Sequence, residues 1–258
     1  MIFYFSATGN TLWAARQISQ AIGEQLVPIT DDEHPVNITL NEGERLGFCF
    51  PVHGWRPPLI VRRFISRLVV ENLSQHYVFA LCTAGDTVGE AIDIFRNDLS
   101  QRSIPLHAMG SLLMPESYVG MPFMDVDTPQ REKEKIAASA QRLQGIIADI
   151  VQRRPIASPL DIGRWPRINS RLIGSVFIKW LITDSPFRVD PDRCLRCGRC
   201  ATLCPVHDIE AQPGHLPHWQ HNGRCLTCFS CYHHCPAHAI SFGWRTKGKG
   251  QYFLKVDE

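Results

Sequence analysis

Eight of the ten cysteines in this chain lie between Cys194 and Cys235, and they form one pattern used twice. The first run is Cys194, Cys197, Cys200 and Cys204-Pro205; the second is Cys225, Cys228, Cys231 and Cys235-Pro236. Shifting the sequence by 31 places lays Arg193-Cys194-Leu195 on Arg224-Cys225-Leu226, and Pro205, His207 and Ile209 on Pro236, His238 and Ile240. Nine of the seventeen positions from 193 to 209 match their counterparts. Such a repeat predicts two half-modules related by a pseudo-twofold axis, each a turning loop that points three sulfurs at a common centre. Thiolates are soft anionic donors that suit iron–sulfur clusters and zinc alike.

Spacing separates the candidates. Structural zinc usually takes CxxC pairs divided by a longer spacer. A disulfide framework needs an oxidising compartment, and the opening Met1-Ile2-Phe3-Tyr4-Phe5 has no basic region or cleavage site of a secretory signal, so a cytoplasmic protein is expected. The run C-x2-C-x2-C-x3-C-P is instead the ligand set of two-cluster bacterial ferredoxins, in which the fourth cysteine ligates the other run's cluster. The expectation is two [4Fe–4S] clusters, one on Cys194, Cys197, Cys200 and Cys235, the other on Cys225, Cys228, Cys231 and Cys204. A chain built this way moves single electrons.

With 258 residues there is room for two cores. The charge balance of 27 − 25 = +2 implies neither nucleic acid nor an anionic membrane as partner. Arg56, Arg62, Arg63 and Arg67 read as a solvated helix face, and Arg164, Arg167, Arg171 and Lys179 as a basic linker. No segment reaches the roughly 18 uninterrupted apolar residues of a spanning helix. The nearest, 172–182, is broken by Lys179 and predicts a helix packed between domains.

Residues 1–153 alternate strands and helices. Strands are expected over 2–5, 26–29, 45–50, 77–82 and 106–113, and helices over 11–22, 57–70, 88–99 and 129–151, the last with Ile136, Leu143, Ile147 and Ile150 at helical spacing. This order predicts an α/β, doubly wound, five-stranded parallel sheet of the flavodoxin-like kind. A connector follows over 154–186, and an α+β cluster domain of bacterial-ferredoxin type over 187–258.

Ligands of doubly wound sheets bind beyond the carboxyl ends of the strands, where this chain places Ser6-Ala7-Thr8-Gly9-Asn10-Thr11. Ser6, Thr8 and Thr11 offer hydroxyls, Gly9 allows a tight turn, and the following helix presents free N–H groups. The loop lacks both the Gly-Lys-Ser/Thr of a P-loop and the Gly-x-Gly-x-x-Gly of dinucleotide folds. The same residues also favour an ordinary helix cap.

Tyr4 to Thr11 closely resembles the FMN phosphate loop of flavodoxins. With the cysteine runs, the whole chain is similar to the flavodoxin–ferredoxin fusion family, the EFR-type ferredoxins. That resemblance implies FMN bound by Ser6, Thr8, Gly9, Asn10 and Thr11. It implies ring contacts from Pro51, His53 and Trp55, with Trp55 as the stacking partner, and from Thr83, Ala84 and Gly85 along the pyrimidine edge. Met114-Pro115-Glu116-Ser117-Tyr118 resembles a Met-Pro-x-Asn-Tyr segment of the family and adds Tyr118.

Cys49 and Cys82 read as buried apolar residues. His207 and His238 are expected beside the clusters, donating hydrogen bonds, and His215, His218 and His221 in solvent. The tail over 245–249 reads as a solvated turn. The expected function is electron transfer between the clusters and FMN, with unidentified redox proteins as partners. The alternative is an FMN-dependent reductase of a small molecule bound over the flavin. A zinc scaffold without redox chemistry is the third reading.

Overall fold

A computed structural model describes residues 1–31, 34–212 and 214–256. The N-terminal part runs β1 (Ile2–Tyr4), α1 (Asn10–Ile22), β2 (Leu26–Pro28), β3 (Val36–Thr39), β4 (Leu46–Pro51), α2 (Leu59–Arg67), β5 (Leu68–Glu71), β6 (Val78–Ala84), α3 (Ala91–Ser100), β7 (Ala108–Leu113) and α4 (Pro129–Val151). Five strands form an all-parallel sheet in the order β2-β1-β4-β6-β7. Counting those strands alone, the order is 2-1-3-4-5, that of the flavodoxin-like doubly wound sheet.

The sheet is buried on both faces because alternate side chains serve different cores. Phe48, Phe50, Ala80 and Cys82 pack with Ile60, Phe64 and Phe95 of α2 and α3. Cys49, Phe79 and Leu81 pack with Ala14, Ile18, Leu143 and Ile146 of α1 and α4. Thr128 caps α4 by accepting from the Arg131 N–H, and Pro129 opens the helix where its missing N–H costs nothing.

The expected helix over 57–70 ends three residues early. Leu68–Glu71 instead pairs in parallel with Val36–Thr39, a two-stranded addition that the sequence reading did not include. Val69 and Val70 explain the change, since branched side chains fit a strand better than the last turn of a helix. The arginines of this region are not a solvated face. Arg62 makes a two-pronged pair with Asp98 at 2.7 and 2.8 Å. Arg63 binds Asp31, and Arg67 donates to the His34 carbonyl. Arg56 sits in the loop before α2 and donates to Ser170 O and Ser175 Oγ of the connector.

The connector helix is wound mostly as wide π-type turns, Ile168–Ile173 and Phe177–Leu181, around one α turn, α5 (Gly174–Val176). It lies on the N-terminal part because Gly174 lets it approach: a Cβ there would stand 2.3 Å from the Gly54 carbonyl oxygen. Arg171 fastens it to Glu90 at 2.7 and 2.9 Å. Among the described residues no helix is long and apolar enough to cross a membrane.

The cluster module contains β8 (Phe187–Val189), α6 (Arg199–Thr202), β9 (Ile209–Glu210), β10 (His218–Trp219), α7 (Ser230–His233) and β11 (Ile240–Phe242). β8 pairs with β11 and β9 with β10, both antiparallel. The sequence repeat is also a backbone repeat. α6 and α7 are 31 residues apart, and each begins after a left-handed residue, Gly198 or Phe229. Arg196 and Thr227, and His207 and His238, are left-handed in the same register.

Candidate redox site

Two sets of four cysteines line two separate cavities. Cys194, Cys197, Cys200 and Cys235 line the first, with Leu195, Arg196, Arg199 and Pro236. Cys204, Cys225, Cys228 and Cys231 line the second, with Phe187, Val206, Trp219 and Phe229. The fourth cysteine of each run therefore faces the cavity of the opposite run. Backbone N–H groups meet the sulfurs in duplicate. Arg196 and Thr227 donate to Cys194 and Cys225 Sγ at 3.4 Å, and Asp208 and Ala239 to Cys204 and Cys235 Sγ at 3.3 Å.

The chemistry of the donor set suits an iron–sulfur group. Burial pushes the Cys200 thiol up to about 11 and the Cys228 thiol up to about 12, and raises Cys225 and Cys231 as well. Buried thiols of this kind ionise only when a cation compensates the charge. The N–H donors already point at sulfur, where they would stabilise the thiolate form. Among the described residues no three His, Cys, Asp or Glu side chains are gathered closely enough to hold a single metal ion.

His207 and His238 also shape the backbone. Their rings are exposed, and their backbones, at φ 51 and 49, turn the chain after each Cys-Pro so that their N–H groups bond the carbonyls of Cys204 and Cys235 at 3.2 Å. The backbone N–H groups of residues 196, 208, 227 and 239 are among the donors directed at sulfur. His215 and His218 are exposed, and so is His221, though its ring sits 2.9 Å from the Asp184 carboxylate.

A third cavity, of about 470 Å³, opens where β1, β4, β6 and β7 end. That volume lies within the range of roughly 300–1,000 Å³ usual for cofactor sites. Ser6, Thr8, Asn10, Thr11, Pro51, His53, Trp55, Thr83, Ala84, Gly85 and Tyr118 all line it. Gly9 does not. It stands behind the loop at φ 89, and a Cβ there would lie 2.1 Å from the Leu254 carbonyl oxygen. Its role is to seat the C-terminal tail, whose Leu254 N–H donates to Thr8 O at 2.8 Å.

The loop suits a phosphate monoester. The Ser6 hydroxyl is buried without a partner, and no side chain caps the first N–H groups of α1. Both are donors held ready for an anion at a helix N-terminus. The remaining polar atoms are braces: Thr11 Oγ1 bonds Thr83 Oγ1 at 2.7 Å, and Asn10 spans Pro115 O at 3.0 Å and the Tyr252 hydroxyl at 2.6 Å.

The walls are largely apolar. His53-Gly54-Trp55-Arg56 is a tight turn with positive φ at Gly54 and Trp55, closed by His53 N–H to Arg56 O at 2.9 Å. Trp55 is fixed by Nε1 donating to Thr87 Oγ1 at 3.0 Å. Burial lowers His53 to about 4, leaving its imidazole neutral, and raises Tyr118 to about 12. Burial also raises the Glu116 carboxyl, against the pull of the Tyr118 and Ser117 N–H groups that its Oε1 accepts. Cys49 and Cys82 are fully buried in the sheet, with thiols raised by burial, and line none of these three cavities.

Three parts of the cavity were not expected there from the sequence. Ile173, Val176, Phe177 and Leu181 of the connector helix cover one side. Met121, Phe123 and Met124 form the rim, held by Lys249, whose ammonium donates to the carbonyls of Val119, Met121 and Met124. The tail is thus a fastening rather than a solvated turn. Thr227 and Cys228 complete the wall, so Cys228 borders both this cavity and the second cysteine cavity.

Residues 187–236 match the family model of the 4Fe-4S dicluster domain, so the chain carries such a domain toward its C-terminus. No curated protein matches the sequence. Solved structures similar to the chain include two described as a "putative flavoprotein". One, from Bacteroides uniformis ATCC 8492, is 18% identical over 44% of this chain and 88% of that chain, with a TM-score of 0.32. The other, from Bacteroides eggerthii DSM 20697, is 16% identical over 54% of this chain and 96% of that chain, with a TM-score of 0.34.

Proposed function

We propose that this chain is an electron-transfer iron–sulfur flavoprotein of the flavodoxin–ferredoxin fusion type. Residues 1–153 hold FMN, 154–186 form a connector, and 187–258 hold two [4Fe–4S] clusters. The observation that carries the reading is the shared wall: Cys228 lies at once on the second cysteine cavity and on the cavity beyond the sheet.

The clusters exchange single electrons, and FMN joins them to two-electron chemistry. The chain's own part is positioning. Cys194, Cys197, Cys200 and Cys235 hold the outer cluster, and Cys204, Cys225, Cys228 and Cys231 the inner one. The Ser6 hydroxyl and the free N–H groups of α1 hold the phosphate. Neutral His53, anchored Trp55 and the small residues Ala84 and Gly85 shape the ring site. The connector helix and the Lys249-bound rim exclude water from it. The Thr183 and Thr227 pair fixes the connector to the cluster module, with Thr183 N–H donating to Thr227 Oγ1 at 2.8 Å and that hydroxyl donating to Thr183 O at 3.2 Å.

Anaerobic purification should give about eight irons, eight sulfides and one FMN per chain. A low-potential donor should then bleach the clusters and the flavin together. Bleached clusters beside a flavin that stays oxidised would sink the reading, and zinc without acid-labile sulfide would replace it with the scaffold.

One observation favours a second reading, reduction of a small molecule at the flavin. The cavity carries a buried carboxyl, Glu116, and an apolar mouth at Phe123, which is 81% exposed. Turnover of an unsaturated or oxidised metabolite with no partner protein present would support it.

A further inference from the structure

The two half-modules share a backbone but meet different surroundings. In the second half, Leu226 is 2% exposed, and Arg224 reaches the N-terminal part, where its guanidinium pairs with the Asp31 carboxylate at 3.0 and 3.1 Å and donates to the Asp31 carbonyl at 2.7 Å. Thr227 bonds the connector at Thr183, and Ser230 is buried. This face of the second half is therefore a docking face, and its charged contact is an arginine meeting a carboxylate.

The equivalent face of the first half is exposed. Leu195, the counterpart of Leu226, is 67% exposed. Arg193 corresponds to Arg224 and is exposed, and among the described residues its side chain has no carboxylate partner. Where the second half has Thr227 and Ser230, the first has Arg196 and Arg199, also exposed and also without a carboxylate. Of the acids alongside, Asp190 accepts through one oxygen from the N–H groups of residues 192 and 193, and Asp190 and Asp192 are both exposed, so the three arginines outnumber the two carboxylates beside them. The exposed thiol of Cys197 lies within this ring, and Leu195, Arg196 and Arg199 line the first cysteine cavity.

We infer that this face docks the acidic surface of a separate one-electron carrier protein, with Arg193, Arg196 and Arg199 as charge contacts and Leu195 as the apolar centre. The inference rests on the electron-transfer reading and names the partner's chemistry. The internal pair of Arg224 with Asp31 shows the contact type, and the duplicated backbone presents it a second time. An exposed leucine ringed by cations matches the apolar core and polar rim of a transient interface. Charge complementarity there sets encounter rate and salt dependence.

The test uses the cluster-loaded full chain, titrated calorimetrically at low salt with a purified acidic two-cluster ferredoxin and, separately, with a purified acidic flavodoxin, all oxidised. At least one should bind, and about tenfold more weakly in Arg196→Glu/Arg199→Glu. Added salt should loosen the wild-type complex similarly. Leu195→Asp gives an independent route to the same loss, and the cluster absorbance of each variant confirms that it is loaded. The control Arg164→Glu/Arg167→Glu, on the connector, should bind like wild type. The proposal is overturned if neither carrier binds, if the loaded face variants bind as tightly as wild type, or if only the connector variant loses binding. None of these outcomes depends on the flavin. A chain that binds the carrier normally but never reduces its flavin would refute internal transfer and leave the docking face standing.

Discussion

The two cysteine cavities are built from the same local sequence and end in opposite environments. Around the first, Cys197 is exposed and the left-handed residue before α6 is Gly198, with nothing within 4 Å of the place a Cβ would occupy. Around the second, that position is Phe229, buried to 1% and packed against Phe187, Phe242 and Tyr118 at ring separations of 5.5, 5.2 and 5.4 Å. A left-handed conformation costs a residue with a Cβ about 1–2 kcal/mol. Burying a phenylalanine side chain contributes about 1.5–3 kcal/mol, and each well-placed ring pair about 0.5–1.5 kcal/mol more. Packing outweighs strain at Phe229, and no such gain exists at position 198. The repeat thus specifies a backbone, and the residues filling its variable positions decide which copy is buried against the cavity beyond the sheet.

The comparison breaks most severely at the crossed cysteines. Cys204→Ser should cost the inner cluster, roughly halving iron per chain, although residue 204 belongs to the outer run; Cys235→Ser should do the converse. Iron and sulfide analysis with electron paramagnetic resonance reads the outcome, and loss of the cluster in the mutated residue's own run would reverse the assignment. Next comes Phe229→Ala, expected to destabilise the protein by about 3–5 kcal/mol in denaturant titrations. Gly198→Ala should cost only the strain of about 1 kcal/mol. Equal effects would mean that the two halves are not differently packed.

Smaller effects lie in the cavity beyond the sheet. Gly9→Ala should displace the tail and weaken FMN about tenfold, equivalent to about 1.4 kcal/mol, while iron content stays the same. Fluorescence titration with FMN would show it. For pH, the sign follows from His53, whose folded value is lowered from 6.5 to about 4. Between these values the unfolded chain binds the proton and the folded chain does not, so stability present above about pH 6.5 is lost as pH falls toward 4. His53→Gln should flatten that slope, and an unchanged acid limb would remove His53 from the account.

How much of this was legible depended on whether the information is local. The cysteine runs carry their meaning in spacing alone, and the loop from Ser6 to Thr11 carries it in residue type and in its place after the first strand. The five central strands were readable for the same reason. What escaped is set by distant partners. Whether Leu68–Glu71 continues a helix or pairs with Val36–Thr39 depends on a strand some thirty residues away. The connector was readable as a packing helix, but not as the wall that puts Phe177 against Tyr118 at 5.4 Å. Gly9 reads as a tight-turn glycine, and its closeness to the Leu254 carbonyl, some 245 positions away, was not legible. Nor were the left-handed backbones of His207 and His238, whose N–H groups bond the carbonyls of Cys204 and Cys235.

The bond between the Tyr252 hydroxyl and Asn10 spans 242 positions of sequence, and that separation has a consequence in time. A ribosome releases Asn10 long before Tyr252, so the nascent sheet can form with the loop from Ser6 to Thr11 still unlatched. Lys249, Tyr252 and Leu254 reach that loop and its rim only after the cysteine runs have emerged. The cysteine runs can therefore fold while the cavity beyond the sheet is still open, and the closing contacts come last, when the slow search of a very long loop is complete.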